Sequence, residues 1–119
     1  MPLNLENTEL IVAHTLSGAE ALAARIPQAR LVVAFQAVLS EVFYDIFQGR
    51  HEARRPSLVY CGDDTASKAV AAQLMHDVGF DPLDAGPLRI ARYIEPFAML
   101  IGQPAYESTK KPELSYRFE

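Results

Sequence analysis

The 119-residue chain contains a single cysteine, only six glycines and fewer basic than acidic side chains, and each of these shortages excludes something. Cys61 has no partner with which to form an internal disulfide, which fits a reducing compartment and leads to the expectation of a cytoplasmic protein. Eleven Lys and Arg against fifteen Asp and Glu give a formal net charge of −4, the wrong sign for a large nucleic-acid footprint. No apolar run approaches the roughly 18–20 residues of a membrane span. Met1-Pro2-Leu3-Asn4 lacks the basic region and apolar stretch of a secretory leader. Gly18, Gly49, Gly62, Gly79, Gly86 and Gly102 lie too far apart for the G-x-G-x-x-G turn that lets a backbone approach a pyrophosphate. Neither Lys68 nor Lys110-Lys111 follows a glycine-rich turn, so there is no Walker-type phosphate cradle.

What is present is half hydrophobic and patterned as alternating strands and helices, in a length suited to one domain spanning 1–119. Glu9–His14 reads as a short strand. Ser17-Gly18-Ala19-Glu20 has capping-box spacing, so a helix is expected to follow, burying Ala19, Leu22, Ala23 and Ile26 and ending at Pro27. Leu31–Phe35 is apolar throughout, as expected of a parallel strand covered on both faces. Phe35, Val38, Leu39, Val42, Phe43, Ile46 and Phe47 follow helical spacing up to Gly49.

Ser57–Cys61 reads as a second buried strand, and Gly62-Asp63-Asp64 as a turn whose aspartate caps a helix from Thr65. That helix is expected to bury Ala66, Ala69, Val70, Leu74 and Val78 and to stop at Gly79. Phe80–Asp84 is a third strand, held at an edge by Pro82. From Leu88 to Gly102 runs a last helix, with a kink or break expected near Pro96 and an all-round apolar segment, Phe97–Ile101, expected to be buried on every side. An irregular packed tail closes the chain. The fold class expected is therefore α/β, a partial Rossmann-like parallel sheet of about three strands with flanking helices and a kinked C-terminal helix.

Chemistry is sparse. His14, His51 and His76 lack metal-ligand spacing. Asp63, Asp64, Asp81 and Asp84 offer oxygens toward the carboxyl edge of the sheet, but caps and turns are the usual work of aspartate there. Cys61 reads as a small buried hydrophobe. Arg92 and Glu95 have the spacing of a local ion pair, and with Arg89 form a set able to meet an anion. The Arg50–Arg55 run reads as a solvated connection.

Several blocks nevertheless form a pattern: Pro2-Leu3-Asn4-Leu5 through Ser17-Gly18-Ala19-Glu20, Ile26-Pro27, Leu31–Gln36, Tyr60–Asp64, Gly79–Leu88, Ala91-Arg92-Tyr93-Ile94-Glu95-Pro96, and the closing Ala105-Tyr106-Glu107 and Glu113–Phe118. Together they resemble the later part of the NADP oxidoreductases that include the deazaflavin-dependent NADP reductases. The resemblance implies an oxidoreductase passing hydride between NADP(H) and a deazaflavin or other acceptor. It also implies that the glycine-rich Rossmann half is not part of this sequence, so that the chain alone is not competent. NADP is thus implied by resemblance and by no motif.

In that family the segment after the fifth strand commonly reads V-K-A-F-N-T, with its Ala-Phe-Asn portion facing the reacting rings. Here Val33 replaces the lysine, Gln36 the asparagine and Ala37 the threonine, which leaves Phe35 and Gln36 as the candidate cofactor-binding residues. Core packing at a strand-to-helix turn is the competing role for Phe35. With the first half absent, Leu31–Phe35 would present an open sheet edge, covered by Glu9–His14, by a second copy in a homodimer, or by a partner chain. Alternatives to the reductase are a non-catalytic dimerisation or partner-binding module, and a site for a small aromatic ligand between Phe35 and the Asp81–Leu88 turn.

Overall fold

The computed structural model describes residues 15–110 and 113–119, so the strand expected at Glu9–His14 lies outside the described residues. In chain order the elements are α1 (Gly18–Arg25), β1 (Val32–Val33), α2 (Phe43–Gln48), β2 (Ser57–Gly62), α3 (Thr65–Val78), β3 (Asp81–Asp84) and α4 (Ala91–Gly102). Short 3₁₀ turns precede α2 and α4, and a π-helical turn, Gln103–Glu107, follows α4. The three strands form one sheet in the order β1-β2-β3, with Pro82-bearing β3 at an edge as its sequence requires.

All six residues of β2 are buried because both faces of the sheet are covered. Val59 and Cys61 point to one side and join Val33, Ala37, Leu88, Ala91 and Ile94 under α4 and α1. Leu58 and Tyr60 point to the other side and meet Met75 and Phe80 beneath α3. The period-two alternation of a strand thus splits one apolar run between two cores. A third, smaller cluster of Leu39, Val42 and Ala105 joins the α2 region to the end of α4.

The local signals act as their chemistry dictates. Ser17 caps α1, its hydroxyl accepting the Glu20 N–H at 3.0 Å. Asp64 caps α3 through the Ser67 N–H at 2.8 Å. Gly79 follows α3 at φ +128°, where an added Cβ would stand 2.6 Å from the Ile46 carbonyl oxygen. The apolar helix of the C-terminal region runs on through Pro96 rather than breaking there.

Four expectations are corrected. First, the sheet is mixed. β2 and β3 are parallel, but β1 pairs with β2 antiparallel, Val32 opposite Gly62 and Val33 opposite Cys61. Second, the expected strand Leu31–Phe35 shrinks to two residues, because Phe35 turns the chain at φ +58°.

Third, the helix expected from Phe35 forms only at Phe43–Gln48, with Leu39 still extended. Its apolar residues diverge instead of sharing one face: Phe35 and Phe43 enter the second cluster, Leu39 and Val42 the third, and Phe47 is 42% exposed.

Fourth, three helices expose apolar residues that were expected to be buried. On α3, Val70 and Leu74 are 63% and 54% exposed, while Met75 is fully buried with Ala71, Ala72 and Val78 beside it. The helix is apolar on both sides, so its periodicity left the phase open. Met75 seated against Leu58 and Phe80, and Lys68 reaching Asp84, fix it. On α4, Leu100 is 67% exposed, since Ala91, Ile94 and Glu95 take the inner face. Leu22 of α1 likewise faces outward.

Candidate functional site

Phe35 and Gln36 occupy the corner where the chain leaves β1. Phe35 is the one non-glycine residue at positive φ among the described residues. A left-handed conformation costs a side-chain-bearing residue roughly 1–2 kcal/mol, and the surroundings must hold it there. The Phe35 ring supplies that hold, packing 5.8 Å from Phe43 and 6.4 Å from Phe80, with Phe43 and Phe80 themselves 5.7 Å apart. Core packing is therefore a part Phe35 does play. Next to it, the Gln36 side-chain oxygen is buried with no hydrogen-bond partner, singular among the described residues. An unsatisfied buried acceptor costs about 1–3 kcal/mol. Strain and an unclaimed acceptor thus meet at the two residues that the sequence singled out.

The antiparallel pairing decides what else lies near this corner. Because β1 runs against β2 and β3, Phe35 sits at the end of the sheet where those strands begin, beside Phe80. The Gly62-Asp63-Asp64 and Ala85-Gly86-Pro87 turns lie at the other end, tied together by the Gly62 N–H donating to the Gly86 carbonyl at 3.1 Å. Phe35 and the whole Asp81–Leu88 segment therefore do not form one pocket.

The four aspartates do not gather either. Asp63 accepts the Leu88 N–H at 2.9 Å, Asp64 caps α3, and Asp84 binds Lys68 at 2.8 Å and the Gly86 N–H at 2.9 Å. Asp81 starts β3 at the opposite end and faces Arg117 at 3.6 Å. Hydrogen bonds from Ser67 hold the Asp64 carboxyl below its ordinary range, and Lys68 does the same for Asp84. Among the described residues, no three His, Cys, Asp or Glu side chains come together to hold a metal. A groove of about 380 Å³ at this end, lined by Ala23, Arg30, Leu31, Asp63, Asp64 and Leu88, is separate from the Phe35 corner.

The set Arg89, Arg92 and Glu95 is also corrected. Arg92 pairs with Glu20 of α1, both nitrogens to both oxygens at 2.8 Å, and not with Glu95. The guanidinium, with Ser17, holds the Glu20 carboxyl below its ordinary value. Glu95 is buried and accepts the first two N–H groups of α1, Gly18 at 2.9 Å and Ala19 at 3.2 Å. Those groups have no intrahelical acceptor, and the helix dipole favours a carboxylate there. The Ser17–Glu20 and Ala91–Pro96 blocks are therefore two halves of one clasp, and their polar groups are consumed by the fold.

Sequence reasoning missed that pairing. The available signal was a lone glutamate in the apolar run Tyr93-Ile94-Glu95-Pro96-Phe97, since a carboxylate among buried neighbours needs donors. It also missed Arg55, which donates to the carbonyls of Arg50, His76 and Phe80 and pins the supposedly solvated loop. Cys61 is buried as expected, and burial pushes its thiol up to about 11, far from a reactive thiolate.

The fold and the corner define a Rossmann-like α/β unit in which a strand end carries the candidate site. No family model matches the chain. Its structure is similar to a chain described as an F420-dependent NADP reductase from Arthrobacter sp. FB24, with a TM-score of 0.82 at 21% identity, covering 99% of this chain and 54% of that one. It is also similar in sequence to the metalloreductase STEAP3 of Rattus norvegicus, 33% identical over 82 residues, which are 69% of this chain and 16% of that protein. The chain thus spans about half the length of the one and a small part of the other. The resemblance drawn from its motifs holds in fold: the chain is similar along nearly its whole length to part of a deazaflavin-dependent NADP reductase. Among the described residues, no helix is long and apolar enough to cross a membrane.

Proposed function

We propose that this chain is the later part of an NADP-dependent oxidoreductase of the cytoplasm, in which Phe35 and Gln36 wall the place where a hydride passes to a deazaflavin or other acceptor. The observation that carries this reading is the buried, unpartnered Gln36 oxygen beside a Phe35 held in a left-handed turn. An unclaimed acceptor at a strained strand end is answered by a ligand N–H, and the carboxamide of a nicotinamide ring offers one. NADPH would supply the hydride when bound and leave as NADP+.

The ring end of that cofactor suits the corner, but the phosphate end finds no cradle in this sequence. The N-terminus of α3, an eligible anion site by geometry, is taken by the Asp64 carboxylate with Asp63 beside it. The glycine-rich half therefore comes from outside these residues, and a second copy or a partner chain covers the open side of the Leu31–Phe35 segment. The consumption of Glu20, Arg92, Glu95, Asp63, Asp64 and Asp84 by the fold favours one other reading, a dimerisation or partner-binding module without turnover.

Calorimetric titration with NADPH and NADP+ separates the two. For the reductase reading, the chain alone gives no heat. Mixed with a separately produced strand–G-x-G-x-x-G–helix half it binds at micromolar affinity, and Gln36→Leu weakens that binding by about tenfold, one hydrogen bond's worth. A mixture that binds neither nucleotide leaves the module reading.

A further inference from the structure

The two-residue β1 leaves most of one side of β2 without a strand, and the C-terminal tail occupies that side. The carbonyls of Pro56 and Tyr60 point toward β3, accepting the Asp81 and Ala85 N–H groups. By strand alternation the N–H groups of Ser57, Val59 and Cys61 point the other way. Cys61 meets Val33 there. Ser57 donates to the Tyr116 carbonyl at 2.6 Å and Val59 to the Tyr116 hydroxyl at 3.4 Å, while the Phe118 N–H donates to the Ser57 hydroxyl at 2.8 Å. The Tyr116 ring packs edge-on to Phe97 at 5.0 Å and to Phe118 at 5.6 Å.

Continuing the register of β1 by two residues would set Ala34 opposite Tyr60 and Phe35 opposite Val59. The Val59 N–H would then bond the Phe35 backbone in place of the Tyr116 hydroxyl. Alternation would also move the Phe35 ring to the face that holds Val33, where the Tyr116 ring now packs. One aromatic ring would replace another. Phe35 would leave its left-handed turn and its contacts with Phe43 and Phe80.

We propose that the C-terminal tail and the end of β1 compete for the same edge of β2, so that docking of the tail sets the conformation of the Phe35–Gln36 corner. With the tail in place the corner is turned out, Phe35 lies against Phe43 and Phe80, and Gln36 has its buried free oxygen. With the tail displaced, β1 lengthens to the run Leu31–Phe35 that the sequence pattern favours, and the corner is dismantled. The consequence for cofactor binding rests on the reading given above. The competition itself is read from backbone conformation, so the two fail separately.

The test uses the full chain carrying Tyr116→Ala and Phe118→Ala, followed by NMR. The expected result is that the Val59 amide keeps its hydrogen-exchange protection within about threefold, while Phe35 shifts from left-handed to extended coupling constants and chemical shifts. Any other pairing overturns the proposal, above all a Val59 amide that becomes labile with Phe35 unchanged. Should that variant fail to fold, relaxation dispersion on the unaltered chain decides: Val59, Phe35 and Tyr116 share one exchange process if they compete, and unlinked or absent exchange overturns the proposal.

Discussion

Glu95 is the residue whose removal is expected to do the most selective damage. Its carboxylate takes the first two N–H groups of α1 from a position on α4 seventy-seven residues away from the first of them. Two charge-assisted hydrogen bonds at about 1.5–3 kcal/mol each set an upper figure of about 3–6 kcal/mol for Glu95→Ala. The loss is capped, however, by the free energy of docking α1. That eight-residue helix fully buries none of its own residues and is too short to persist alone. The expected cost is therefore about 2–3 kcal/mol, reached when α1 detaches while the sheet survives. Glu95→Gln keeps one neutral acceptor and is expected to cost about 1 kcal/mol. Urea denaturation gives the total, and amide exchange locates it: Gly18, Ala19 and Ala21 lose protection while Leu58 and Tyr60 keep theirs. An alanine variant within about 0.5 kcal/mol of the parent, with α1 still protected, would refute the reasoning.

Three further outcomes are expected. Gly79→Ala combines a strained φ with a Cβ only 2.6 Å from the Ile46 carbonyl, and thermal melting is expected to show a loss of about 2 kcal/mol or more. The Glu20 carboxyl is held below its ordinary value by Arg92, so its contribution is complete above the ordinary carboxylate pKa near 4.5 and fades as pH falls through the lower folded value. Stability measured from pH 6 down to pH 3 is therefore expected to fall less steeply in Arg92→Ala than in the parent, and parallel curves would count against the clasp. Cys61, buried and with a thiol pushed up to about 11, is expected to ignore an aromatic disulfide reagent at pH 8 until urea unfolds the chain; rapid native labelling would contradict its place under Leu88.

The sequence by itself determined what depends on neighbours along the chain. Ser17 and Asp64 cap their helices because a side-chain oxygen three residues from an orphan N–H needs no tertiary partner. Gly79 ends α3, Pro82 holds β3 to an edge, and the run Ser57–Cys61 is buried on both faces. The resemblance named Phe35 and Gln36 as candidate cofactor-binding residues; the structure shows a left-handed backbone at the first and a buried, unpaired acceptor on the second.

Only the tertiary structure decided the rest, because each remaining choice was settled by residues distant in sequence. The direction of β1 follows from its register against Gly62 and Cys61. The face that α3 buries was open, since its apolar residues surround it, until Met75 met Leu58 and Phe80. The helical spacing from Phe35 to Phe47 was a periodicity without a common face, because two separate clusters draw those side chains apart and Phe47 faces outward. Arg92 and Glu95 looked like partners of each other one turn apart. Across the fold, Glu20 and the bare N–H groups of α1 offered each a better one.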